Sequence, residues 1–268
     1  MFNIRKVYIM GVINMTPDSY FKDSRITNST AFFNRVGKMV NEGVDIIDIG
    51  AISTRPGAKF IPQEAEIKRL KQFIPDLKSN YPQILFSIDT VYGETAKFCL
   101  DHGFDIVNDV SAWSVDTTLI DVVSQWNCPY ILMHAQGNPE TMQNNPRYDN
   151  VTLDILRFFK RKLAALKSKG VQQVIIDPGF GFGKSIDDNF MILNKLSILE
   201  ILECPILIGL SRKSMITNYL EITTESALSA TSALHMVSLQ NGANILRVHD
   251  VKEAVQVRSL YEKLANDA

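Results

Sequence analysis

Short apolar runs rich in β-branched residues alternate with longer segments of helical periodicity along the whole chain. The runs show no regular alternation of apolar and polar positions, which is typical of strands buried on both faces of a parallel sheet. The pattern predicts eight strands, at residues 7–13, 46–49, 85–88, 106–107, 130–133, 174–176, 206–210 and 244–248.

The segments between these runs favour helices, most clearly at residues 29–41, 64–79, 152–169 and 225–240. Four glycines stand where a helix commonly ends in a left-handed residue: Gly43, Gly103, Gly170 and Gly242. Repeated helix–glycine–strand units indicate βα repeats. Eight repeats in 268 residues predict an α/β fold of the (β/α)8 TIM-barrel type, which typically has about 250 residues.

A doubly wound open sheet is the alternative architecture, and it usually has fewer strands over this length. No Gly-x-Gly-x-x-Gly motif opens the first predicted helix, which counts against a dinucleotide-binding sheet. No linker, low-complexity run or block of charge divides the sequence. We therefore predict a single domain over residues 1–268.

The composition is that of an ordinary globular protein. Hydrophobic residues make up 46% of the chain, charged residues make up 21%, and the net charge is −1. Acidic and basic residues are spread along the sequence, which gives no reason to expect nucleic acid or a membrane as a partner.

The cysteines and the N-terminal segment indicate where in the cell the protein is located. Cys99, Cys128 and Cys204 lie far apart, without the spacing of a metal-binding or redox motif. Reduced thiols are the expected state. No small-residue cleavage site follows the N-terminal segment, and no run approaches the roughly 20 apolar residues that span a bilayer. We predict a cytoplasmic protein.

Polar or charged side chains follow every predicted strand. In a barrel these positions converge on the C-terminal face, where active sites are built. A polar residue after one strand is often only a cap or a turn former, but its occurrence after all eight favours a site. The positions are Asn14, Gly50 to Arg55, Asp89, Asn108 with Asp109, His134, Asp177, Ser211 to Lys213, and Arg247 with His249.

Longer motifs surround these positions. They are MGVINMTPDS at 10–19, STRPGA at 53–58, SIDT at 87–90, VND at 107–109, MHAQGNP at 133–139, DPGFGFGK at 177–184, SRKS at 211–214 and RVHD at 247–250. In order, spacing and placement after strands, this set resembles the dihydropteroate synthases, over nearly the whole chain. The resemblance implies a transferase of folate biosynthesis, a sulfonamide target, that joins a dihydropterin diphosphate to p-aminobenzoate and releases pyrophosphate.

The resemblance implies four pterin-binding residues: Asp89, Asn108, Asp177 and Lys213. A pterin presents several N–H donors and a carbonyl, which carboxylates and an amide can pair with. Buried carboxylates need such partners, because an unpaired buried charge is very costly. A turn-capping role stays open for Asp177, since Asp-Pro-Gly is a good turn opener.

Asn14, Arg247 and His249 match the family's diphosphate-binding positions. Arginine suits a phosphate because its planar fork donates two parallel hydrogen bonds. The resemblance also implies Mg²⁺ as a cofactor that meets Asn14, since Mg²⁺ is commonly held through phosphates and few protein ligands. A packing role stays open for His249, as it does for His134.

For p-aminobenzoate the resemblance implies six residues: Thr54, Arg55, Pro56, Phe180, Lys213 and Ser214. Ser214 opens a predicted helix, whose free N–H groups favour a carboxylate. Lys184 in the glycine-rich segment has no implied role.

The implied mechanism is largely the placement of charge. Departure of pyrophosphate leaves positive charge on the pterin methylene, which Asp89 and Asp177 would stabilise. The leaving anion would be met by cationic or polar side chains. The residues implied in catalysis are Asp89, Asp177, Lys213, Arg247 and His249.

The chain departs from the family's pattern at three places. Ala51 and Ile52 stand where Gly-Glu is usual, Tyr20 replaces a phenylalanine, and Ala135 replaces a methionine. Two other functions therefore stay in view. A pterin-dependent methyltransferase would need neither the STRP loop nor the Arg247–His249 pair, and a barrel that binds pterin without turnover would form no product. By resemblance we expect a homodimer.

Overall fold

The computed structural model describes residues 2–15, 29–52, 61–137 and 146–266. Eight parallel strands lie in these ranges, in the order β6-β5-β4-β3-β2-β1-β8-β7. Their bounds are β1 Tyr8–Asn14, β2 Ile46–Gly50, β3 Leu85–Asp89, β4 Ile106–Asp109, β5 Tyr130–Met133, β6 Val174–Asp177, β7 Leu207–Ile208 and β8 Ile245–Val248.

Helices of the described chain surround these strands. Two of the connections also contain 3-10 turns, Leu196–Leu202 and Glu225–Ala227. The α-helices are α1 Ser29–Asn41, α2 Gln63–Leu70, α3 Leu77–Asn80, α4 Gly93–Asp101, α5 Thr118–Trp126, α6 Val151–Ser168, α7 Ile186–Asn194, α8 Ser214–Leu220, α9 Leu228–Gln240 and α10 Val251–Asn266.

The sheet closes on itself between its two end strands. Ile176 of β6 forms a parallel bridge with Ile206, which precedes β7, and its N–H donates to the Pro205 carbonyl at 2.9 Å. The eight strands therefore form a nearly closed barrel, and the predicted (β/α)8 TIM-barrel fold is confirmed.

The predicted helices and caps are largely confirmed, with one correction. The four cap glycines all have positive φ, between 84° and 97°. The prediction of one helix over 64–79 was wrong, because Pro75 lies in its middle and proline cannot donate a helical hydrogen bond. The chain instead forms α2 and α3 with a turn between them. Among the described helices, none has the length and apolar character needed to span a membrane.

Side chains inside the barrel form layers, because successive side chains of a strand alternate between its two faces. The lower layer is apolar and consists of Met10, Ile46, Ile106, Ile131, Ile175, Leu207 and Ile245. The residue two positions further along a strand faces the same interior, one layer nearer the C-terminal end. On four strands that residue is polar or charged: Asp48, Asn108, Asp177 and Arg247.

Side chains on the outer face of the strands pack against the helices. In α1 the buried residues Phe32, Val36 and Met39 recur at the spacing of one helical face. Gly11 of β1 leaves room for this helix, since a Cβ at that position would lie 2.9 Å from the Met39 sulfur. The helices thus fix the strands from outside, and the polar layer is held rigidly at the barrel mouth.

Candidate active site

Three carboxylates and one amide form an acidic floor, which we define as Asp48, Asp89, Asn108 and Asp177. All four are at most 8% exposed. Arg247 crosses this floor: its Nε donates to Asp48 Oδ2 at 2.7 Å, and its Nη2 donates to Asp89 Oδ2 at 2.9 Å. Asn108 Nδ2 donates to the same Asp48 oxygen at 3.0 Å. Strands β2, β3, β4 and β8 therefore meet in one hydrogen-bonded network.

Lys213 follows β7, the strand next to β8, and interacts electrostatically with Asp177 and Arg247. It is the residue before α8, and its Nζ donates to the Phe180 carbonyl at 2.7 Å. Burial lowers the pKa of Lys213 to about 8, although Asp177 opposes the shift. Asp177 itself accepts from the Gly179 N–H at 2.7 Å, so it both caps the turn and faces the pocket's cations.

Burial sets the electrostatics of the floor. It raises the pKa of Asp89 well above its usual range, with Arg247 opposing the shift and Asp48 adding to it. Burial also raises the pKa of Asp177, against the attraction of Lys213. For Arg247, burial alone would lower the pKa, but Asp48 and Asp89 outweigh it and raise the pKa above its ordinary value. Burial therefore disfavours the charged forms of Asp89 and Asp177, and N–H donors from a ligand would stabilise them.

Two buried oxygens support the same conclusion. Asp48 Oδ1 and Asp89 Oδ1 accept no hydrogen bond from the described residues. Buried polar atoms in folded proteins nearly always have a partner, so these two unpaired acceptors indicate a place for donors from a ligand.

His249 and Asn14 lie at the mouth above the floor. His249 follows β8, with its Nδ1 3.1 Å from Ser211 Oγ, and burial with the nearby Arg247 lowers its pKa to about 4. The imidazole is therefore neutral near pH 7. Asn14 ends β1 beside Gly50 of β2. Arg212, by contrast, turns away and donates to both oxygens of Asp250, at 2.8 and 3.0 Å.

Lys184 holds the glycine-rich segment together from within. Its buried Nζ donates to the carbonyls of His134, Gly179 and Phe182, at 3.2, 2.9 and 2.9 Å. Burial lowers its pKa to about 7. The ring of His134 packs edge-on against Phe158 with centroids 4.8 Å apart, which favours the packing role for this histidine.

Gly179, like Gly183, is a glycine of this segment at which a side chain would overlap the backbone of a neighbouring segment. Its φ is +70°, and an added Cβ would overlap the His134 carbonyl oxygen. Gly179→Ala is expected to lower the free energy of unfolding by roughly 3 kcal/mol. Gly37→Ala is the control, because Gly37 lies within α1 and its Cβ would meet only the Tyr81 hydroxyl at 3.5 Å. Urea unfolding should show the control unchanged or slightly stabilised, and equal losses would contradict the prediction.

The predicted p-aminobenzoate residues are only partly described. Thr54, Arg55 and Pro56 lie outside the described residues, as does Tyr20. Ser214 is exposed at the start of α8. The Phe180 ring is fully buried, whereas the half-buried Phe182 ring lies under Lys213 Nζ at 4.7 Å from its centroid.

Sequence reasoning missed three residues that build the site. Asp48 belongs to the floor, and Glu66 and Arg69 of α2 support it from outside. Arg69 Nη1 donates to the Ala51 carbonyl at 2.8 Å, and Thr90, next to Asp89, donates to Glu66 Oε2 at 2.8 Å. For two of these residues the sequence contained a signal. Asp48 interrupts the apolar run of a predicted strand, and Glu66 falls on the buried face of its helix.

Glu66 gives a pH-dependent prediction. Burial raises its pKa from 4.5 to about 7, so the folded chain keeps a proton that the unfolded chain releases earlier. This contribution to stability is complete below pH 4.5 and is lost as the pH rises to about 7. Glu66→Gln has no such proton. We expect the free energy of unfolding in urea, taken as variant minus wild type, to rise by roughly 3 kcal/mol between about pH 5 and pH 8. Parallel pH curves would contradict the assignment.

Comparisons with known proteins agree with this geometry. A family model described as "Pterin binding enzyme" matches residues 10–249. The dihydropteroate synthase of Escherichia coli K12 is 35% identical over 258 residues, covering 95% of this chain and 90% of the relative. A Yersinia pestis dihydropteroate synthase in a sulfonamide drug complex has a TM-score of 0.95 at 30% identity, covering 100% of this chain and 97% of that one. A Xanthomonas albilineans dihydropteroate synthase in complex with 7,8-dihydropteroate has a TM-score of 0.85 at 30% identity, covering 98% and 95%.

The barrel, its acidic floor and the family match together define a pterin-binding enzyme. The similarity to the Escherichia coli relative extends over nearly all of both chains. The chain therefore belongs to the dihydropteroate synthases, which are transferases of folate biosynthesis, and the resemblance of its motifs is confirmed.

Proposed function

We propose that the chain condenses 6-hydroxymethyl-7,8-dihydropterin diphosphate with p-aminobenzoate, giving 7,8-dihydropteroate and pyrophosphate. One observation carries the proposal: a buried floor of three carboxylates and an amide is crossed by the Arg247 guanidinium at the C-terminal mouth of the barrel. The floor carboxylates can accept hydrogen bonds from a ring rich in N–H donors, and the Arg247 guanidinium can bind an anionic diphosphate.

In this proposal the pterin ring binds on the acidic floor. Its contacts are Asp89, Asn108, Asp177 and Lys213. The carboxylates accept from its N–H groups, and Lys213 donates to its carbonyl oxygen or to a ring nitrogen. When the bond between the methylene carbon and the diphosphate oxygen breaks, positive charge spreads over the methylene and the ring. Fixed carboxylates in a buried site stabilise that charge, and preorganised groups of this kind are often the largest catalytic contribution.

Arg247, the neutral His249 and Asn14 meet the leaving diphosphate at the mouth. Arg247 supplies charge, and a neutral imidazole contributes a hydrogen bond. The arylamine nitrogen then bonds to the methylene carbon and loses a proton, so the step needs no side-chain nucleophile.

Mg²⁺ is the proposed cofactor, and the donor set fits it in one specific way. Among the described residues no three acidic, histidine or cysteine side chains are placed to hold a metal ion. Asn14, half-buried at the mouth, offers one amide oxygen. A cation bound mainly through diphosphate oxygens and water suits this arrangement. When bound, Mg²⁺ would offset charge on the diphosphate.

The p-aminobenzoate site is proposed between Lys213, Ser214 and the loop that carries Thr54, Arg55 and Pro56. Of the two phenylalanines in the glycine-rich segment, the exposure of Phe182 makes it the better ring contact, since the Phe180 ring is fully buried. Sulfonamides, bound by the Yersinia pestis relative, would compete at this site.

An assay with both substrates tests the function. Purified chain with Mg²⁺, dihydropterin diphosphate and p-aminobenzoate should release pyrophosphate and form dihydropteroate in equal amounts. Methyl transfer from a folate to a corrinoid, without pyrophosphate release, would favour the methyltransferase. Tight pterin binding without product would favour a non-catalytic barrel.

A homodimer is proposed from the distribution of exposed apolar side chains. Five of them lie between residues 191 and 220, on α7, the 3-10 turn after it, and α8. The rings of Phe190 and Tyr219 contact at 5.2 Å between centroids, so α7 and α8 are adjacent. The five exposed apolar side chains are Met191, Ile198, Ile201, Tyr219 and Leu220. Light scattering should give twice the mass of one chain.

A cytoplasmic location and a single domain over residues 1–268 complete the proposal. All three cysteines are free thiols, the usual state in a reducing compartment. Cell fractionation tests the location. A single cooperative unfolding transition would support one domain.

A further inference from the structure

We propose that Asp48 is a positioning residue, which fixes the Arg247 guanidinium in the orientation that receives the diphosphate. The inference rests on the proposed function. Neither the motifs nor the family match assigns a role to Asp48, which lies inside β2 and is fully buried.

A single oxygen of Asp48 is the meeting point of the network. Asp48 Oδ2 accepts from Arg247 Nε at 2.7 Å and from Asn108 Nδ2 at 3.0 Å. Arg247 comes from β8 and Asn108 from β4, so one carboxylate oxygen from β2 joins a diphosphate contact to a pterin contact. An asparagine at this position would keep an oxygen that can accept from Asn108, so the change should fall mainly on Arg247, which loses its negatively charged partner.

The hydrogen bonds determine which way the guanidinium faces. Asp48 Oδ2 lies 2.7 Å from both Nε and Nη2 of Arg247, and Asp89 Oδ2 accepts from Nη2 at 2.9 Å. A guanidinium bound at two such points cannot turn as a planar group about its Cδ–Nε bond, so the direction of its remaining N–H groups is set before the ligand arrives. The Arg247 side chain is 21% exposed, which leaves part of it open toward the mouth. Interactions fixed in advance avoid the cost of ordering a flexible arginine on binding.

Asp48→Asn tests the inference, because it preserves volume and one acceptor but removes the charge. The measurements are the Kd of pyrophosphate, the Kd of 6-hydroxymethyl-7,8-dihydropterin, and the KM of each substrate. Pyrophosphate affinity should fall about tenfold and the KM of the dihydropterin diphosphate should rise similarly. The affinity of the pterin without diphosphate and the KM of p-aminobenzoate should change less than about threefold.

Asp105→Asn is the matched control. Asp105 precedes β4 at the opposite end of the barrel, and it accepts from the Phe86 N–H and from Lys78. This variant also loses a carboxylate that binds a cation and a backbone N–H, so thermal unfolding should show a loss of stability, smaller than that of Asp48→Asn because the Asp105 side chain is 29% exposed. Its ligand affinities and KM values should match wild type.

Three outcomes would overturn the inference. Equal pyrophosphate affinity in Asp48→Asn and wild type would show that Asp48 does not act through Arg247. An equal loss of pyrophosphate and pterin affinity would show direct pterin contact or a general structural role. Loss of affinity in Asp105→Asn as well would show an effect of stability alone. Failure of the wild type itself to form dihydropteroate would instead overturn the proposed function.

Discussion

Asp89→Asn is expected to reduce kcat/KM for dihydropteroate formation by about a hundredfold to a thousandfold, the usual effect of removing one preorganised electrostatic contact. Asparagine keeps the shape and can still accept from Arg247, so the main change is the lost negative charge beneath the developing cation. The loss should appear in kcat, because the charge of the pterin rises only as the diphosphate departs. Steady-state kinetics with both substrates measures it.

Asp45→Asn is the control for this variant. Asp45 precedes β2 at the other end of the barrel, where it accepts from the Ile9 N–H at 2.8 Å and from Arg258. That variant should lose stability and keep kcat. An Asp89→Asn enzyme with wild-type kcat would remove Asp89 from the mechanism.

Arg247→Ala should have the largest combined effect, on activity and on stability. Activity falls because the leaving diphosphate loses its main cation. Stability falls because Asp48 and Asp89 are left as buried carboxylates without a counterion, which typically costs about 3–5 kcal/mol. Protonation relieves that cost, so the variant should recover stability relative to wild type as the pH is lowered from about 8 to 5.

Arg258→Ala separates the two effects. Arg258 Nη1 pairs with Asp45 Oδ2 at the opposite end of the barrel, and neither side chain is fully buried. Its removal should cost less stability and leave activity intact. Both variants would be measured by urea unfolding for stability and by pyrophosphate release for activity. A stable, active Arg247→Ala enzyme would contradict the roles given to Arg247.

Most of the barrel follows from the sequence because its strands are buried on both faces and four of its described helices are followed closely by a glycine. Parallel strands bring their C-terminal ends together, so polar residues after strands could be predicted to share a site. Asp89, Asn108, Asp177 and Arg247 do so. Their ligands stay a prediction, since each contact depends on where the substrate lies.

Asp48 was missed for a physical reason. One acid among four apolar neighbours hardly changes the hydropathy of a strand, although it lies two residues after Ile46 and so must face the interior. The pattern of apolar and polar residues also could not predict which of the two rings, Phe180 or Phe182, is buried. Gly179 and Gly181 on either side of Phe180 both have positive φ, and a backbone torsion leaves no periodic trace in the sequence.

The ion pairs of Arg247 also bear on how the enzyme is made. Asp48 and Asp89 emerge from the ribosome 199 and 158 residues before the arginine that balances them. Until then a growing chain cannot bury both acids at low cost, and they stay in contact with water. Strand β8 supplies the missing counterion and pairs with β1 and β7, so a functional centre cannot form before residue 247 has been synthesised.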